Sequence, residues 1–69
     1  MPTLKQLRIG LGWSMAKLAQ EAGVARQTVA SAERGDIVYA QKAKAIADAL
    51  GRGYGKEIIV WQIEGINVL

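Results

Sequence analysis

The sequence predicts a mainly α-helical fold, in which four short helices are followed by a short C-terminal β-strand or hairpin. In four segments between residues 3 and 51, apolar residues recur at helical spacing, and each segment is bounded by a capping residue or a glycine. Residues 58–63 then form a β-branched and aromatic run that is typical of strands. A stretch of 69 residues accommodates one domain.

The first helix is predicted over residues 3–10. Thr3 and Gln6 have the spacing of a capping box, in which each residue satisfies a backbone N–H of the other. Leucines recur behind them at helical intervals, which gives the helix an apolar face. Gly10 and Gly12 are expected to end it.

The next two helices are predicted to be joined by a tight turn. Ser14 is a good N-cap for the second helix, which ends at Gly23. The third helix begins three residues further on and ends at Gly35, with Val29 and Ala32 on its apolar face. Its other face carries four polar side chains: Arg26, Gln27, Thr28 and Ser31.

The fourth helix is expected to follow a loop at residues 36–40 and to close at Gly51. Gly51, Gly53 and Gly55 would then form a loose connector. Beyond it we expect a strand over residues 58–63. A turn at Glu64-Gly65 and a second short strand over residues 66–69 would complete the chain.

Composition excludes several classes of function. The chain contains no cysteine and no histidine, so disulfides, thiolate chemistry and most zinc sites are excluded, as is the commonest general base. The sequence also offers no phosphate-binding loop, no metal-ligand spacing and no nucleophile paired with a base. We therefore expect neither an enzyme nor a bound cofactor or metal.

The charge excess lies entirely in the first half of the chain. Residues 1–35 carry five basic and two acidic side chains, whereas residues 36–69 carry four of each, which gives the formal net charge of +3. A basic half on a small domain points to nucleic acid or another anionic surface as the partner. An ordinary solvated surface produces the same excess, so charge alone does not decide.

Residues 14–35 combine small, apolar and polar side chains in an order that suits two crossing helices. Ala19 is small enough for the next helix to cross closely over it, and Gly23 supplies a left-handed turn. Val24 fills the corner and Val29 anchors the third helix to the core. The polar face of that helix is therefore free to project outward, and the major groove of B-DNA, about 12 Å wide, admits a helix.

At these residues the chain resembles the helix-turn-helix domains of the Cro and phage-repressor type, also called the xenobiotic-response-element family. The resemblance extends over residues 4–51 without a gap. It rests on six matches: Leu7-Arg8 to Leu11-Gly12, Leu18-Ala19, Gly23-Val24, Thr28-Val29, Glu33-Arg34-Gly35 and Ile46-Ala47 to Leu50-Gly51. It implies four or five helices, dimeric binding to a palindromic operator in double-stranded DNA and a role in switching transcription.

The resemblance also implies roles for individual side chains. Arg26, Gln27 and Ser31 match the positions that reach base edges, and arginine pairs well with guanine, as glutamine does with adenine. Thr28 would touch phosphate or a thymine methyl group. For Tyr39, in the loop after the third helix, phosphate contact and simple exposure stay equally open. Contacts to the DNA backbone are implied for Ser14, Lys17 and Arg34.

Arg8 and Glu33 are expected to act in the structure rather than in base reading. In the family, these positions form a partly buried ion pair that ties the first helix to the end of the third. Trp13 is expected to pack over the corner between the first two helices.

The sequence departs from the family pattern at three positions. Ala25 stands where serine or threonine usually caps the recognition helix, which loses about 1 kcal/mol of capping. Met15 replaces a glutamine that would have touched DNA, so one contact is missing. Ala40 stands where a proline often opens the fourth helix, so the start of that helix is poorly defined.

The C-terminal tail, residues 56–69, is expected to mediate dimerisation. A strand over residues 58–63 would be apolar on both faces and would need cover on both. The helices cover one face, and the same strand of a second subunit would cover the other. The alternative is a hairpin through Glu64-Gly65 that packs within one subunit. The expected dimer contacts are Ile59, Trp61, Ile63 and Ile66, with Trp61 at the centre.

We therefore predict a small dimeric transcriptional regulator, a repressor, that inserts the helix near residues 25–34 into the major groove of specific DNA sequences. Residues 1–55 would form the DNA-binding domain and residues 56–69 the dimerisation tail. Since no apolar run spans a bilayer and no signal-peptide pattern opens the chain, we expect a cytoplasmic, nucleoid-associated protein without a membrane or small-molecule partner. The alternative is a protein-binding module, such as an antitoxin or assembly factor, that uses its C-terminal strand.

Overall fold

The computed structural model describes residues 2–69, and this part of the chain contains four α-helices, as predicted. Helix α1 spans Leu4–Gly10 and begins with the predicted capping box. The Thr3 hydroxyl accepts a hydrogen bond from the Gln6 N–H at 3.1 Å, and the Gln6 side-chain oxygen accepts one from the Thr3 N–H at 2.9 Å. The N-terminus of α1 is therefore satisfied locally.

Helices α2 (Met15–Ala22) and α3 (Arg26–Arg34) follow and pack against each other. Both end at the predicted glycines, because each glycine adopts the left-handed conformation that closes a helix. The φ angle is 70° at Gly23 and 88° at Gly35. The pair is thus separated by a turn of only three residues, at positions 23–25.

Two of the predicted boundaries around the fourth helix are wrong. Residues 36–40 are not a loop throughout, because Ile37–Val38 forms a short strand, β1, and α4 begins at Ala40. Helix α4 spans Ala40–Tyr54 and therefore continues past Gly51, where the sequence predicted its end.

Close packing explains why α4 contains glycines. A Cβ atom on Gly51 would lie 2.7 Å from the carbonyl oxygen of Lys56, so only glycine lets the tail approach the helix here. The Gly53 position faces the side chains of Leu11 and Trp13 in the same way. The predicted loose connector is therefore wrong: the first two of its glycines are helical contact points, and the helix ends at Gly55.

The strand predicted over residues 58–63 does not form. Val60–Gln62 is instead a single turn of 3₁₀ helix. Ile58 and Ile63 are both buried, at 6% and 3% exposure, while Trp61 between them is 79% exposed. In a strand, residues five apart point to opposite faces, so the turn is what lets both isoleucines reach one core. Ile63, expected at a dimer interface, belongs to the core of its own subunit.

The alternative hairpin through Glu64-Gly65 does not form either, although a turn and a second short strand are present as predicted. After a turn at Gly65, residues Asn67–Val68 form strand β2, which pairs with Ile37–Val38 in parallel. Just before this turn, the Glu64 N–H donates a hydrogen bond to the Pro2 carbonyl at 2.8 Å. The tail therefore runs between the start of α1 and the segment that follows α3, and it is bonded to both.

The hydrophobic core is closed within one subunit. The accessible surface of the whole chain is 4221 Å², close to the value of about 4,200 Å² expected for a folded monomer of 7.4 kDa. The tail contributes to this core together with all four helices. The largest fully buried side chains are Leu4, Leu18, Val29, Ile46 and Leu50.

Arg8 is the one charged residue among the buried residues of positions 2–69. Its guanidinium donates hydrogen bonds to both carboxylate oxygens of Glu33 and, through Nη1, to the Trp13 carbonyl at 2.9 Å. The hydrogen bond to Glu33 raises the pKa of Arg8 above its usual value. This ion pair connects α1 to α3 and to the residue just before the N-cap of α2.

Replacing Glu33 by alanine should lower the free energy of unfolding by about 3–5 kcal/mol, because Arg8 would remain buried without its partner. Urea unfolding followed by circular dichroism measures this. Asp48→Ala is the matched control, since it breaks the exposed Lys44–Asp48 pair and should cost less than about 1 kcal/mol. Equal unfolding midpoints for the two variants would contradict a structural role for the buried pair.

Replacing Gly51 by alanine should destabilise the protein by about 1–3 kcal/mol, because the new Cβ meets backbone that cannot move away easily. At an ordinary helical position the same change stabilises by about 1 kcal/mol. Gly53→Ala serves as the comparison, because its Cβ meets only the ends of the Leu11 and Trp13 side chains, which can shift. We expect a smaller loss there in the same urea experiment. A more stable Gly51→Ala variant would mean that the tail does not pack on α4.

Candidate nucleic-acid interface

The turn between α2 and α3 is stabilised by local hydrogen bonds and by the packing of one apolar side chain, Val24. The Gly23 and Val24 N–H groups both donate to the Ala19 carbonyl, which closes the end of α2. The Val24 side chain is half-buried and packs against the core. Leu18 and Val29 are completely buried, so each helix is anchored by one side chain near its middle. The orientation of α3 is therefore set on its inner side.

The outer side of α3 is polar and accessible. Arg26, Gln27 and Arg34 are exposed, whereas Thr28 and Ser31 are half-buried. Gln27, Ser31 and Arg34 are spaced four and three residues apart, so they lie along one stripe of the helix. This stripe brings together three of the five α3 side chains that the sequence singled out, while Arg26 and Thr28 lie in the first turn on either side of Gln27.

Arg34 is held along this stripe by two neighbours. Its Nε and Nη2 atoms donate to Asp36 Oδ2 at 3.1 and 2.9 Å, and Nη2 also donates to Ser31 Oγ at 3.2 Å. The Arg34 and Asp36 side chains are 61% and 56% exposed, so the pair is weak and open to exchange with another anion. Asp36 is not among the residues predicted from the sequence, although an opposite charge two residues after Arg34, across the Gly35 turn, indicates such a pair.

The N-terminus of α2 carries the two polar residues expected beside DNA. The Ser14 hydroxyl accepts a hydrogen bond from the Lys17 N–H at 3.0 Å, which leaves its own hydrogen free to donate. The Lys17 ammonium lies 3.1 Å from a Glu21 carboxylate oxygen and 5.9 Å from the centroid of the Trp13 ring. Both groups are on the surface, so Lys17 can be drawn away from Glu21 at little cost.

Tyr39 is the last residue that the sequence placed near DNA. It precedes α4 as the N-cap residue, its side chain makes no capping hydrogen bond, and it is 64% exposed. Two residues earlier, Ile37 is exposed to a similar extent, at 61%. Exposure alone therefore does not distinguish a phosphate contact of Tyr39 from an ordinary surface position.

Pairing of charges leaves Arg26 as the most available cation of α3. Both acidic residues of positions 1–35 are bound to basic partners: Glu33 to Arg8, and Glu21 to Lys17. Arg34 pairs with Asp36, whereas Arg26 takes part in no salt bridge within residues 2–69. Arg26 also lies in the first turn of α3, where backbone N–H groups add positive potential. This end of α3 therefore favours an anionic or hydrogen-bond-accepting surface.

Two other classes of site are not found in the part of the chain that the structure describes. No three acidic side chains among residues 2–69 come close enough together to hold a metal ion. Over the same range, every helix is too short or too polar to cross a membrane.

Comparison with known proteins agrees with this geometry. The helix-turn-helix family model matches residues 4–55, which include all four helices. The chain belongs to the helix-turn-helix family of the Cro/C1 type. It is 51% identical over 35 residues to an uncharacterized HTH-type transcriptional regulator of Bacillus subtilis (strain 168), YgzD, an alignment that covers 51% of this chain and 53% of that protein. No solved structure matches the chain significantly.

Family membership confirms the resemblance drawn from the sequence motifs and extends it from residue 51 to residue 55. It indicates a DNA-binding domain. The chain spans about half the length of the curated relative that it matches.

The structure shows the local consequences of two departures from the family pattern. Ala25 is the N-cap of α3 in an extended conformation, with φ −70° and ψ 146°, and it makes no side-chain capping bond. Met15 begins α2 and packs partly against the hydrophobic core, so it has a structural use in place of a DNA contact.

A serine at position 25 should stabilise the protein by about 0.5–1 kcal/mol, because the backbone there already has N-cap geometry and only the acceptor oxygen is missing. Ser14→Ala is the opposite change and serves as the control, since it removes the N-cap of α2 and should lower the stability of the protein by about 1 kcal/mol. Thermal unfolding of both variants, followed by circular dichroism, measures the two changes. Ala25→Ser variants that unfold at or below the wild-type temperature would show that α3 does not start at Arg26.

Proposed function

We propose that this helix-turn-helix protein is a transcriptional regulator that binds specific sequences in double-stranded DNA by inserting α3 into the major groove. The observation that carries the proposal is the outer face of α3, where Arg26 lacks an ion-pair partner among residues 2–69 and Gln27 is exposed beside it. These two side chains can form the bidentate pairs that distinguish guanine and adenine in the major groove. A helix anchored only on its inner side leaves them free to do so.

The proposed division of roles follows from exposure and hydrogen bonding. Arg26 and Gln27 read base edges, and Ser31 contacts a base from the middle of the stripe. Thr28, which is half-buried, contacts a phosphate or a thymine methyl group near the start of α3. Neither Arg8 nor Glu33 takes part, because each is buried in the ion pair with the other.

Contacts to the DNA backbone are proposed at the edges of this surface. Ser14 has a free hydroxyl hydrogen, and Lys17 and Arg34 are held only by exposed ion pairs that phosphate can replace. Tyr39 offers its hydroxyl to a phosphate from the start of α4.

We further propose that two copies act together as a repressor on a palindromic operator in nucleoid DNA. A nine-residue recognition helix touches few base pairs, and two-fold pairing doubles the sequence that is read. The two α3 helices would then lie about 34 Å apart, one turn of B-DNA. Repression needs nothing beyond occupancy, because a protein bound to an operator excludes other proteins from that stretch of DNA.

Selection of bound sequences from a random duplex pool tests this proposal. The wild type should select a palindrome, and Arg26→Ala and Gln27→Ala should each relax preference at one position per half-site, by about 1–3 kcal/mol. Lys56→Ala is the matched control, because it removes an exposed positive charge outside α2 and α3 and should leave the selected sequence unchanged.

Salt dependence provides a second measurement in the same system. Lys17→Ala should weaken binding to all sequences alike and reduce the slope of log affinity against log salt by about 0.9, the value for one lost phosphate contact. If the wild type binds no duplex even at low salt, DNA recognition is excluded and a protein partner becomes the better explanation.

A further inference from the structure

A long apolar groove lies between α4 and the tail. Its volume is about 740 Å³, and its walls include Ala40 and Ala47 from α4 and Ile58, Val60 and Ile66 from the tail. The helix wall also contains the charged residues Lys44 and Asp48.

The most exposed aromatic side chain of residues 2–69 lies in the wall of this groove. Trp61 is 79% exposed, and two other groove residues, Ile59 and Val68, are 40% and 39% exposed. Scattered exposed apolar side chains are ordinary, but three around one apolar depression form a continuous patch of the kind that marks an interaction surface. The 3₁₀ turn at Val60–Gln62 holds Trp61 outward, because it directs Ile58 and Ile63 inward.

We propose that the occupant of this groove is Trp61 of a second copy of the chain, and that the exchange is reciprocal. In a two-fold dimer, one surface patch meets the same patch on the partner, so it must contain both a projection and a matching cavity. Trp61 and the groove meet that requirement together. A foreign ligand would fill the groove but would leave the adjacent Trp61 exposed.

The charges around the groove are compatible with contact between identical surfaces. Lys44 and Asp48 form an ion pair at 2.8 Å on α4, and Glu57 lies on the opposite wall. A rim of one sign would repel a second copy, whereas this rim carries both signs and a net charge of only −1 from these three groups. Identical rims can therefore be paired with each lysine near an acidic group.

The size of a stable interface indicates how far the contact extends. A typical interface buries about 800 Å² on each partner, which is roughly a fifth of the 4221 Å² surface of this subunit. Trp61 alone does not supply that area. The exposed Leu69 at 72%, together with Ile59 and Val68, extends the apolar surface beyond Trp61.

The proposed contact leaves the DNA-binding face free. None of the side chains proposed to touch DNA lines the groove; Tyr39 comes nearest in sequence, as the neighbour of Ala40. One subunit can therefore hold DNA and a second subunit at the same time. This inference gives the dimer of the proposed function its contact surface, but it is tested without DNA, so either one can fail alone.

The first test is sedimentation velocity of the full chain without DNA, over a range of concentrations. The wild type should dimerise reversibly, and Trp61→Ala should raise the dissociation constant by at least about ten-fold, as expected for a central aromatic contact. Ile9→Ala is the matched control, since Ile9 is 55% exposed but lies on α1 outside the groove, and it should dimerise like the wild type. Deleting the tail is unsuitable, because Ile58 and Ile63 belong to the core.

A second test distinguishes the reciprocal insertion of Trp61 from nonspecific apolar association. Ile59→Arg places a charge in the wall of the groove and should prevent entry of a partner's indole while keeping Trp61. Each variant alone should dimerise at least about ten-fold more weakly than the wild type, whereas a mixture of the two should form more dimer, because one Trp61 and one open groove remain in the heterodimer. Circular dichroism checks that both variants are folded.

Three results would overturn the inference: a wild type that stays monomeric at all concentrations, a Trp61→Ala variant that dimerises as well as the wild type, or a mixture with no more dimer than its components.

In the Trp13→Phe background, Trp61 is the sole tryptophan, and its quenching by acrylamide should fall as the dimer forms. Quenching that does not change with dimerisation would equally exclude Trp61 from the interface. DNA binding measured on the same proteins shows whether the proposed function stands independently.

Discussion

The position of the recognition helix depends on one buried ion pair. Arg8 in α1 binds Glu33 near the end of α3 and also the backbone carbonyl of Trp13, just before the N-cap of α2. A single guanidinium therefore ties α1 to α3 and to the segment that leads into α2. Any arrangement that moved α3 away would leave a buried charge without its partner, which costs several kcal/mol. The orientation of the polar face of α3 therefore rests on this pair.

The tail reinforces the same arrangement from the other side. Its backbone is hydrogen-bonded to Pro2, before α1, and to Val38, just after α3, and its buried isoleucines complete the core. It is therefore an integral part of the domain rather than an appended strand. Because Ile58 and Ile63 are used internally, the apolar residue that the tail offers to a partner is chiefly Trp61. One short segment thus stabilises the helices and also supplies the proposed contact surface.

The two proposed surfaces depend on different forces. The face of α3 presents charged and amide groups, which water solvates well until DNA replaces it, so its binding should weaken as salt rises. The groove is apolar, and association through it is driven by removal of apolar surface from water, which salt does not screen. Dimerisation can therefore persist under conditions in which DNA is released. Residues 2–69 separate these two tasks in space as well as in chemistry.

The sequence by itself determined the features that depend on neighbouring residues: the capping box at Thr3, the left-handed turn at Gly23 and the polar stripe of α3. The family resemblance added the ion pair, whose partners lie 25 residues apart. Only the tertiary structure decided that Gly51 lies inside α4, that Ile58 and Ile63 share one core, and that the last strand pairs in parallel. A glycine that breaks a helix in isolation is required where another backbone passes within van der Waals distance. Likewise, a β-branched run folds as a 3₁₀ turn where two of its side chains must reach the same core. Neither the contact of Gly51 with the tail nor the shared burial of Ile58 and Ile63 can be inferred from neighbouring residues in the sequence.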